Sequence, residues 1–303
     1  FSILNLCLIS AIMSIGINIQ WGNSGIVNFG VMGFAAIGGL CGVLISMPPT
    51  LEVWEGGTAI ILIILFSFLI SGILIKKFWT ILVYNKYLRI LLLIIIIFFS
   101  LYLIKSIFIP SINFIENTNS AKTGYIGGLN LPIILSWPIA GLFCMIIAFL
   151  IGKIALGLRS DYLAIATLAA QFIIQDFFSR SEWFTGGVDG ALAEPFVIFN
   201  IVFDTDEKYF YVVLFWLIIS YLLVTNLMRT RDGRALLAVR DHYLSAEMMG
   251  INLTKYRILS FGVSSFFAGL GGALYGHYLG FVSIEEFNIQ LSITFLAMII
   301  IGG

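Results

Sequence analysis

Uncharged polar side chains stand inside a stretch that is otherwise apolar, at residues 20–39, QWGNSGIVNFGVMGFAAIGG. Lipid cannot satisfy such groups, and irregular backbone at membrane depth is tolerated only against protein or a water-filled cavity. Gly22, Gly25 and Gly30 let the backbone bend. The segment predicts a broken helix lining a path for a polar solute; the alternative is a turn followed by close helix packing through glycine. The candidate path residues here are Gln20, Asn23, Ser24 and Asn28.

A second polar group lies in residues 158–190. Thr167 and Gln171 are four residues apart on one face of an apolar span, and Gln175 continues that face. The following turn, TGGVDG, offers backbone N–H groups that can grip the carboxylate of a small zwitterion. The alternative is helix–helix hydrogen bonding followed by an external loop. The candidate residues in the turn are Thr185, Gly186, Gly187 and Asp189.

Several kinds of chemistry have no residues in this sequence to support them. No G-x-x-x-x-G-K-[ST] motif is present, so the chain is not expected to hydrolyse ATP through a P-loop. Neither a nucleophile–base pair nor a metal-ligand cluster is apparent, which predicts no catalytic residue, no metal and no cofactor. Proton- and sodium-coupled carriers usually keep ionisable groups inside the membrane. Because no acid stands in the middle of a predicted span, we expect energy to come from a partner subunit.

The composition is that of a membrane protein. Hydrophobic residues make up 60% of the chain and charged residues 11%, against about 25% charged residues in ordinary soluble domains. Since a span needs roughly 20 apolar residues, we predict an all-α polytopic helix bundle forming a single membrane domain over residues 1–303. The candidate spans are 1–19, 26–47, 58–75, 90–109, 131–151, 162–179, 209–228, 258–281 and 289–303.

Both ends of the sequence fall inside predicted spans. The chain starts at Phe1 without a Met, and the last span is cut off at Gly303. We therefore expect a fragment truncated at both ends, with at least one more span in the whole protein. Because the basic residues lie in loops between spans, no surface suited to nucleic acid is expected.

The distribution of charge predicts how the spans cross the membrane. Loops rich in Lys and Arg stay on the cytoplasmic side. Placing residues 229–257 there also places 76–89 and 152–161 there, and these three loops hold twelve of the sixteen basic residues. Eleven of the sixteen acids then fall in the outer loops. A wrong number of spans would scramble this bias, so the charges support the topology.

Residues 229–257, called the island below, form the largest polar segment between two spans. Leu236, Val239, Tyr243 and Ala246 recur at helical spacing. Gly250 can end this helix, and Asn252 or Thr254 can cap the next one. The island predicts a short amphipathic helix whose apolar stripe docks in a groove of a cytosolic partner; the alternative is a solvated loop on lipid headgroups. The candidate coupling residues are Arg234, Arg240, Leu244, Ala246, Glu247 and Gly250.

Small residues repeat every four positions through the span after the island. Such a stripe lets helix backbones approach closely, so we predict a structural role. His277, near its outer end, is expected to be packed or interfacial rather than a ligand. The stripe consists of Ser260, Ser264, Ala268, Gly272, Gly276 and Gly280.

Taken together, these segments resemble the permease subunits of the branched-chain amino acid ABC transporters, specifically the M-type subunit of the Liv system. The resemblance covers nearly the whole chain. It is carried by QWGNSGIVNFGVMGF, LRSDYLAIATLA, TGGVDG and, most specifically, GRALLAVRDHYLSAEMMGINLTKYRILSFGVSSFFAGLGGALYGHYLGFVS. In that family the island is the loop that meets the ATPase subunit. Here Ala246, Glu247 and Gly250 fall where the family's Glu-Ala-Ala-like loop motif has its small residue, acid and glycine.

The resemblance also implies a cellular location and partner subunits. It implies a multi-pass protein of the bacterial inner membrane that works with a second permease subunit in a heterodimer, two cytoplasmic ATP-binding subunits and an extracytoplasmic substrate-binding protein. Importers of urea and short amides use closely similar permeases, so the substrate stays open between these and branched-chain amino acids. The alternative from another class is an ion-coupled carrier or channel.

Overall fold

The computed structural model describes residues 1–54, 94–96, 98–99, 101–118, 127–155, 160–186, 190–193, 195–198, 201–203 and 205–302. These residues are mostly helical, which confirms the predicted all-α class. They form two compact units. The first unit comprises Phe1–Pro48, Gly128–Ser181 and Gly187–Gly303, and the second comprises Pro49–Gly127 and Glu182–Gly186.

The first unit contains the long helices and the island. Its helices are α1 (Ser2–Ser24), α2 (Val31–Ser46), α5 (Ile133–Ala155), α6 (Ser160–Arg180), α8 (Asp206–Arg229), α9 (Arg231–Asp241), α10 (Tyr243–Met248), α11 (Leu253–Leu279) and α12 (Ile289–Gly302). Four two-residue strands accompany them: β1 (Ala191–Leu192), β2 (Val197–Ile198), β3 (Ile201–Val202) and β4 (Phe281–Val282). A 3₁₀ turn, Ile284–Phe287, precedes α12.

Among the described residues, six helices are long and apolar enough to cross a membrane. They are α1, α5, most of α6, α8, α11 and the segment Ile94–Asn117. Two shorter apolar helices, α2 and α12, match the predicted spans 26–47 and 289–303. The remaining predicted span, 58–75, lies outside the described residues. The chain is therefore a multi-pass membrane protein.

Helix α11 is the centre of the first unit and packs against α1, α2 and α5. Small residues in α11 explain how closely these helices pack. A Cβ added to Gly38 of α2 would stand 2.2 Å from the carbonyl oxygen of Gly269, and one added to Gly272 would stand 2.0 Å from that of Ala35. Because the two backbones touch at glycine, no side chain fits between them. The structural role predicted for the stripe is confirmed.

The stretch before α8 folds back on its own unit. Ala191 of β1 pairs antiparallel with Val282 of β4. The ring of Phe196, which is buried, lies 4.9 Å from that of Trp137. These contacts hold the described residues of this stretch against the helices of the first unit.

The second unit has a small core of its own. It includes α3 (Leu51–Val53), a π-helical turn (Ile104–Phe108), α4 (Ile109–Asn117) and α7 (Glu182–Thr185). Val53 and Ile115 are fully buried. Phe108, Ile112 and Trp183 pack against them. An isolated bridge joins Pro49 to Gly127.

Candidate functional site

Helix α1 ends inside the polar segment, for which the sequence predicted either a broken helix or a turn. Helix α1 ends at Ser24 because Gly25 adopts a left-handed conformation, with φ of 67°. The backbone N–H of Gly25 bonds to the carbonyl of Trp21, and that of Ile26 bonds to the carbonyl of Gln20. No helix resumes until Val31, so residues 25–30 form a first interruption. Gly22 stays inside α1, and Gly25 is the glycine of this segment that takes a positive φ.

The backbone of the first interruption is bonded by side chains that the sequence singled out. Asn28, which is buried, accepts the N–H of Gly30 on its Oδ1 at 2.8 Å. The Oγ1 of Thr167 accepts the N–H of Phe29 at 3.2 Å. Thr167 stands seven residues after the start of α6, about 10 Å along that helix. These contacts meet the requirement that interrupted backbone within a membrane be satisfied by protein.

A second interruption, residues 280–288, separates α11 from α12 and reaches the same face of α6. The carbonyl of Phe287 accepts hydrogen bonds from the Nε2 atoms of Gln171 at 3.3 Å and Gln175 at 2.6 Å. Ser292 donates to the Oε1 of Gln171 at 2.9 Å and accepts the N–H of Met32 at 3.1 Å. The beginnings of α2 and α12 therefore meet at one buried glutamine.

The predicted turn TGGVDG lies partly outside the described residues. Of the predicted turn residues, Thr185 is buried and Gly186 has a φ of 75°, both in the second unit. Gly187 and Asp189 lie outside the described residues.

Two acceptors near the end of α1 have no hydrogen-bond partner among the described residues. Gln20 is fully buried and donates its Nε2 to the carbonyl of Phe261 at 3.3 Å, but its Oε1 is unpartnered. The hydroxyl of Ser24 is buried and likewise unpartnered. Asn23 is half-buried beside them. A buried acceptor without a partner is costly, so a solute or water that donates hydrogen bonds would be favoured here.

One acid borders the second interruption. Glu286 is half-buried, and its Oε2 has no hydrogen-bond partner among the described residues. Burial raises the pKa of this carboxyl above its usual value. By contrast, the junction of Asn28, Thr167, Gln171 and Ser292 contains only uncharged side chains.

The island differs from the single amphipathic helix that its spacing predicted. It forms two helices, α9 and α10, which break at His242, whose φ of −149° and ψ of 84° are not helical. Leu236 and Val239 are buried, and α9 packs against α1, α8 and α11 of this same chain. Leu236 and Val239 were predicted to dock in a groove of a partner. That prediction is wrong, because helices of this same chain already cover them.

Helix α10 is the part of the island that stays uncovered. Only Ala246 is buried, whereas Leu244 is 61% and Met248 92% exposed. Gly250 ends this stretch with a φ of 83°, as predicted. Asn252 caps α11 by accepting the N–H of Lys255 on its Oδ1 at 3.1 Å.

The predicted coupling charges fall into two groups. The side chains of Arg234 and Glu247 are exposed. Arg240 instead bonds within the chain: its Nη1 donates to the carbonyl of Gly22, and its Nε donates to Asp241 at 2.8 Å. Arg240 therefore ties α9 to the end of α1.

His277 has a packing role, as expected. It is buried, and its Nε2 lies 2.9 Å from the hydroxyl of Ser46. Trp137 donates its indole N–H to Nδ1 of the same ring at 3.2 Å. These contacts join α2, α5 and α11 near their shared end. No group of three or more potential metal ligands occurs among the described residues.

With this geometry described, the chain can be compared with known proteins. Residues 117–303, more than half of the chain, match the model of the family described as branched-chain amino acid transport system / permease component. The chain belongs to this permease family. The match includes α6, the island and the second interruption, whereas the first interruption precedes it.

Individual relatives carry the same description. The chain is 29% identical over 190 residues to the high-affinity branched-chain amino acid transport system permease protein LivM of Salmonella typhimurium, and equally to that of Escherichia coli. Each match covers 55% of this chain and 45% of the relative. A probable branched-chain amino acid transport permease protein LivM of Methanocaldococcus jannaschii is 26% identical over 185 residues, covering 56% of this chain and 53% of the relative. The chain thus spans about half the length of the curated relatives it matches. No solved structure matches it.

The junction at α6 contains two groups that sequence reasoning missed. Ser292 is a buried hydroxyl in an apolar 14-residue helix, and its bond to Gln171 crosses 121 residues of sequence. The role of the Phe287 carbonyl cannot be predicted from residue types, because it is a main-chain acceptor. Ser292 could have been flagged as a polar residue within an apolar span, but its partner could not.

Proposed function

We propose that this chain is the permease subunit of an ABC importer, which moves branched-chain or other small amino acids inward while separate subunits hydrolyse ATP. The observation that carries the proposal is the junction of two interrupted helices at Gln171, in a chain that belongs to a permease family. Transporters commonly place substrate sites where discontinuous helices meet.

The residues around this junction suit a zwitterion with an apolar side chain. Amides, hydroxyls and backbone dipoles recognise ammonium and carboxylate groups without the tight hold of a fixed opposite charge. Gln20 and Ser24 add unpartnered buried acceptors to the same path. The path residues that we assign are Gln20, Asn23, Ser24, Asn28, Thr167 and Gln171. The turn residues Thr185, Gly186, Gly187 and Asp189 stay candidates for binding the substrate carboxylate.

Helix α10 is the proposed docking surface for the ATP-binding subunits. Tyr243, Leu244 and Met248 present apolar surface on the helix that also carries the exposed charge of Glu247, and Arg234 is exposed on α9. An exposed apolar patch with a charged border is typical of a protein contact site. The island then lies on the cytoplasmic side of the inner membrane, as its basic residues favour.

The other partners follow from the same proposal. A second permease subunit would complete the path, two ATP-binding subunits would bind the two islands, and an extracytoplasmic binding protein would deliver and select the substrate. This assignment leaves the permease with no catalytic step of its own.

Cysteine cross-linking tests the docking part of the proposal. In a background with Cys7, Cys41 and Cys144 replaced by alanine, Leu244→Cys and Met248→Cys are expected to trap an ATP-binding subunit. Tyr221→Cys, exposed on α8 within a membrane span, is the matched control and is expected to trap none. Labelling of both α10 cysteines by water-soluble reagents, with no cross-linked subunit, would favour the solvated-loop alternative.

Substrate competition separates the amino acid importer from the urea or short-amide importer. With the binding protein present, unlabelled leucine, isoleucine and valine are expected to compete with labelled leucine, whereas urea and acetamide are not. Uptake of labelled urea, with no uptake of leucine, would transfer the assignment to the amide importers.

A further inference from the structure

The two halves of the island have different surroundings, and this difference points to different tasks. Helix α10 is largely exposed, as the docking proposal requires. Helix α9 is bonded to the membrane helices at both of its ends. At its beginning, Asp232 accepts a hydrogen bond from the hydroxyl of Tyr256 in α11 at 3.1 Å. At its end, Arg240 reaches α1.

The Arg240 contact falls on the last turn of α1. The carbonyls of Gln20 and Trp21 are taken by the N–H groups of Ile26 and Gly25. The carbonyl of Gly22 is taken by the guanidinium of Arg240. The C-terminus of a helix carries a partial negative charge, so a cation there is bound by both the hydrogen bond and the helix dipole.

The contact also lies beside the pivot of the first interruption. A Cβ added to Gly25 would meet the Cγ of Arg240 at 3.4 Å. Because Gly25 holds the left-handed conformation that ends α1, a displacement of Arg240 acts where the direction of the chain changes. Asn28 and Gly30, which are joined by a hydrogen bond, lie within five residues after Gly25.

We propose that Arg240 is a positioning residue that transmits movement of a docked α10 to the end of α1, and thereby opens and closes the first interruption. This inference rests on the proposed function, since it requires an ATP-binding subunit at α10. Helix α9 acts as the rigid link: Tyr256 holds its beginning against α11, while its end moves with Arg240. Arg240 lies on neither the docking surface nor the substrate path.

The test uses the whole transporter, purified with its ATP-binding subunits and reconstituted with its binding protein. Arg240→Gln removes the cation but keeps a polar side chain, and is expected to lower ATP-driven leucine uptake by about tenfold, within the range typical of coupling between sites. ATP hydrolysis and co-purification of the ATP-binding subunits are expected to match the wild type. Arg240→Lys retains the cation as a point charge and is expected to restore part of the uptake.

Two matched variants control for charge and for the neighbouring ion pair. Arg231→Gln removes an exposed cation from the same helix and is expected to leave uptake unchanged. Asp241→Asn removes the half-exposed partner of Arg240 but spares the bond to Gly22. Since half-exposed ion pairs contribute little, this variant is also expected to transport normally.

A local readout distinguishes transmission from general damage. Val27→Cys, half-buried in the first interruption, is labelled with a water-soluble maleimide in the cysteine-free background. Its labelling rate is expected to change on ATP addition when Arg240 is present, and to be indifferent to ATP in Arg240→Gln.

The following results would contradict the inference. Uptake in Arg240→Gln equal to that in Arg231→Gln, or ATP-responsive labelling of Val27→Cys in both backgrounds, rules out transmission through Arg240. Loss of co-purifying ATP-binding subunits in Arg240→Gln shows that Arg240 serves docking instead. If the wild-type complex takes up no leucine with ATP, the proposed function fails first, and the inference fails with it.

Discussion

Ser292 donates its hydroxyl hydrogen to the side-chain oxygen of Gln171 across 2.9 Å. The same hydroxyl accepts the backbone N–H of Met32, so one serine links the beginning of α12, the middle of α6 and the beginning of α2. A polar group shared by three elements is either fully satisfied or costly. A shift of any one element must therefore be accommodated by the other two, which is what a gate in a transport path requires.

Gln171→Leu tests this junction. Leucine can neither accept from Ser292 nor donate to Phe287, and a buried hydroxyl without an acceptor costs about 1–3 kcal/mol. Gln175 still donates to the Phe287 carbonyl, so we expect the bundle to assemble and uptake to fall by about tenfold or more. Thr294→Val is the control, because that hydroxyl is exposed and bonds within its own helix. Normal uptake in Gln171→Leu would leave these polar residues with a role in helix packing only.

Much of the architecture could be predicted because it depends on local pattern. The lengths of the apolar stretches predicted the spans, and the four-residue spacing of Thr167 and Gln171 predicted the polar face of α6. The four-residue repeat of small residues gave the packing of α11. Gly25 and Gly250 marked helix ends because both need a positive φ.

The rest depends on partners far away in sequence. Leu236 and Val239 have the spacing of a docking stripe, but the pattern does not say whose surface covers them. The bond of Arg240 to a backbone carbonyl 218 residues away has no sequence signature. The contact of residues 280–288 with α6 was missed because its acceptor is a main-chain oxygen.

Gly38→Ala tests the close contact of α2 with α11. The new methyl group would stand 2.2 Å from the carbonyl oxygen of Gly269, so the two backbones must separate. Overpacking of this kind costs about 1–3 kcal/mol, and we expect a lower Tm in detergent and less assembled transporter. Gly302→Ala, where no atom of the other described residues lies within 4 Å of the added Cβ, should behave as the wild type. Equal thermal stability of the two variants would refute this contact.

Gly250→Val tests the end of α10. Among the described residues outside its chain neighbours, no atom lies within 4 Å of the position of its Cβ. The cost therefore comes from the φ of 83°, about 1–2 kcal/mol. We expect the variant to keep ATP hydrolysis but to lose uptake, because α10 is misdirected relative to α11. Gly250→Asn is the matched control, since asparagine tolerates the left-handed region. The ratio of leucine transported to ATP hydrolysed measures the effect, and an unchanged ratio in Gly250→Val contradicts it.

Glu286→Gln tests the buried acid of the second interruption. Burial raises the pKa of Glu286, so the native state binds this proton more tightly than the unfolded chain does. The penalty for its ionisation is complete above the raised pKa and disappears as pH falls through it. Glu286→Gln is therefore expected to raise the Tm at about pH 7.5, and to raise it less at about pH 4.5. Glu285→Gln, at an exposed position, should change neither. A stabilisation by Glu286→Gln that is equal at both pH values would contradict the assignment to ionisation.

The proposal that ATP-binding subunits drive uptake can be tested directly by measuring which energy source supports transport. Leucine uptake is measured in proteoliposomes that contain this permease with its partner permease, with and without the ATP-binding subunits, in the presence of the binding protein. We expect uptake only when ATP and the ATP-binding subunits are both present, and we expect no response to ionophores that collapse proton and sodium gradients. Uptake driven by an imposed ion gradient, in vesicles that lack the ATP-binding subunits, would contradict this proposal and identify the chain as a secondary carrier.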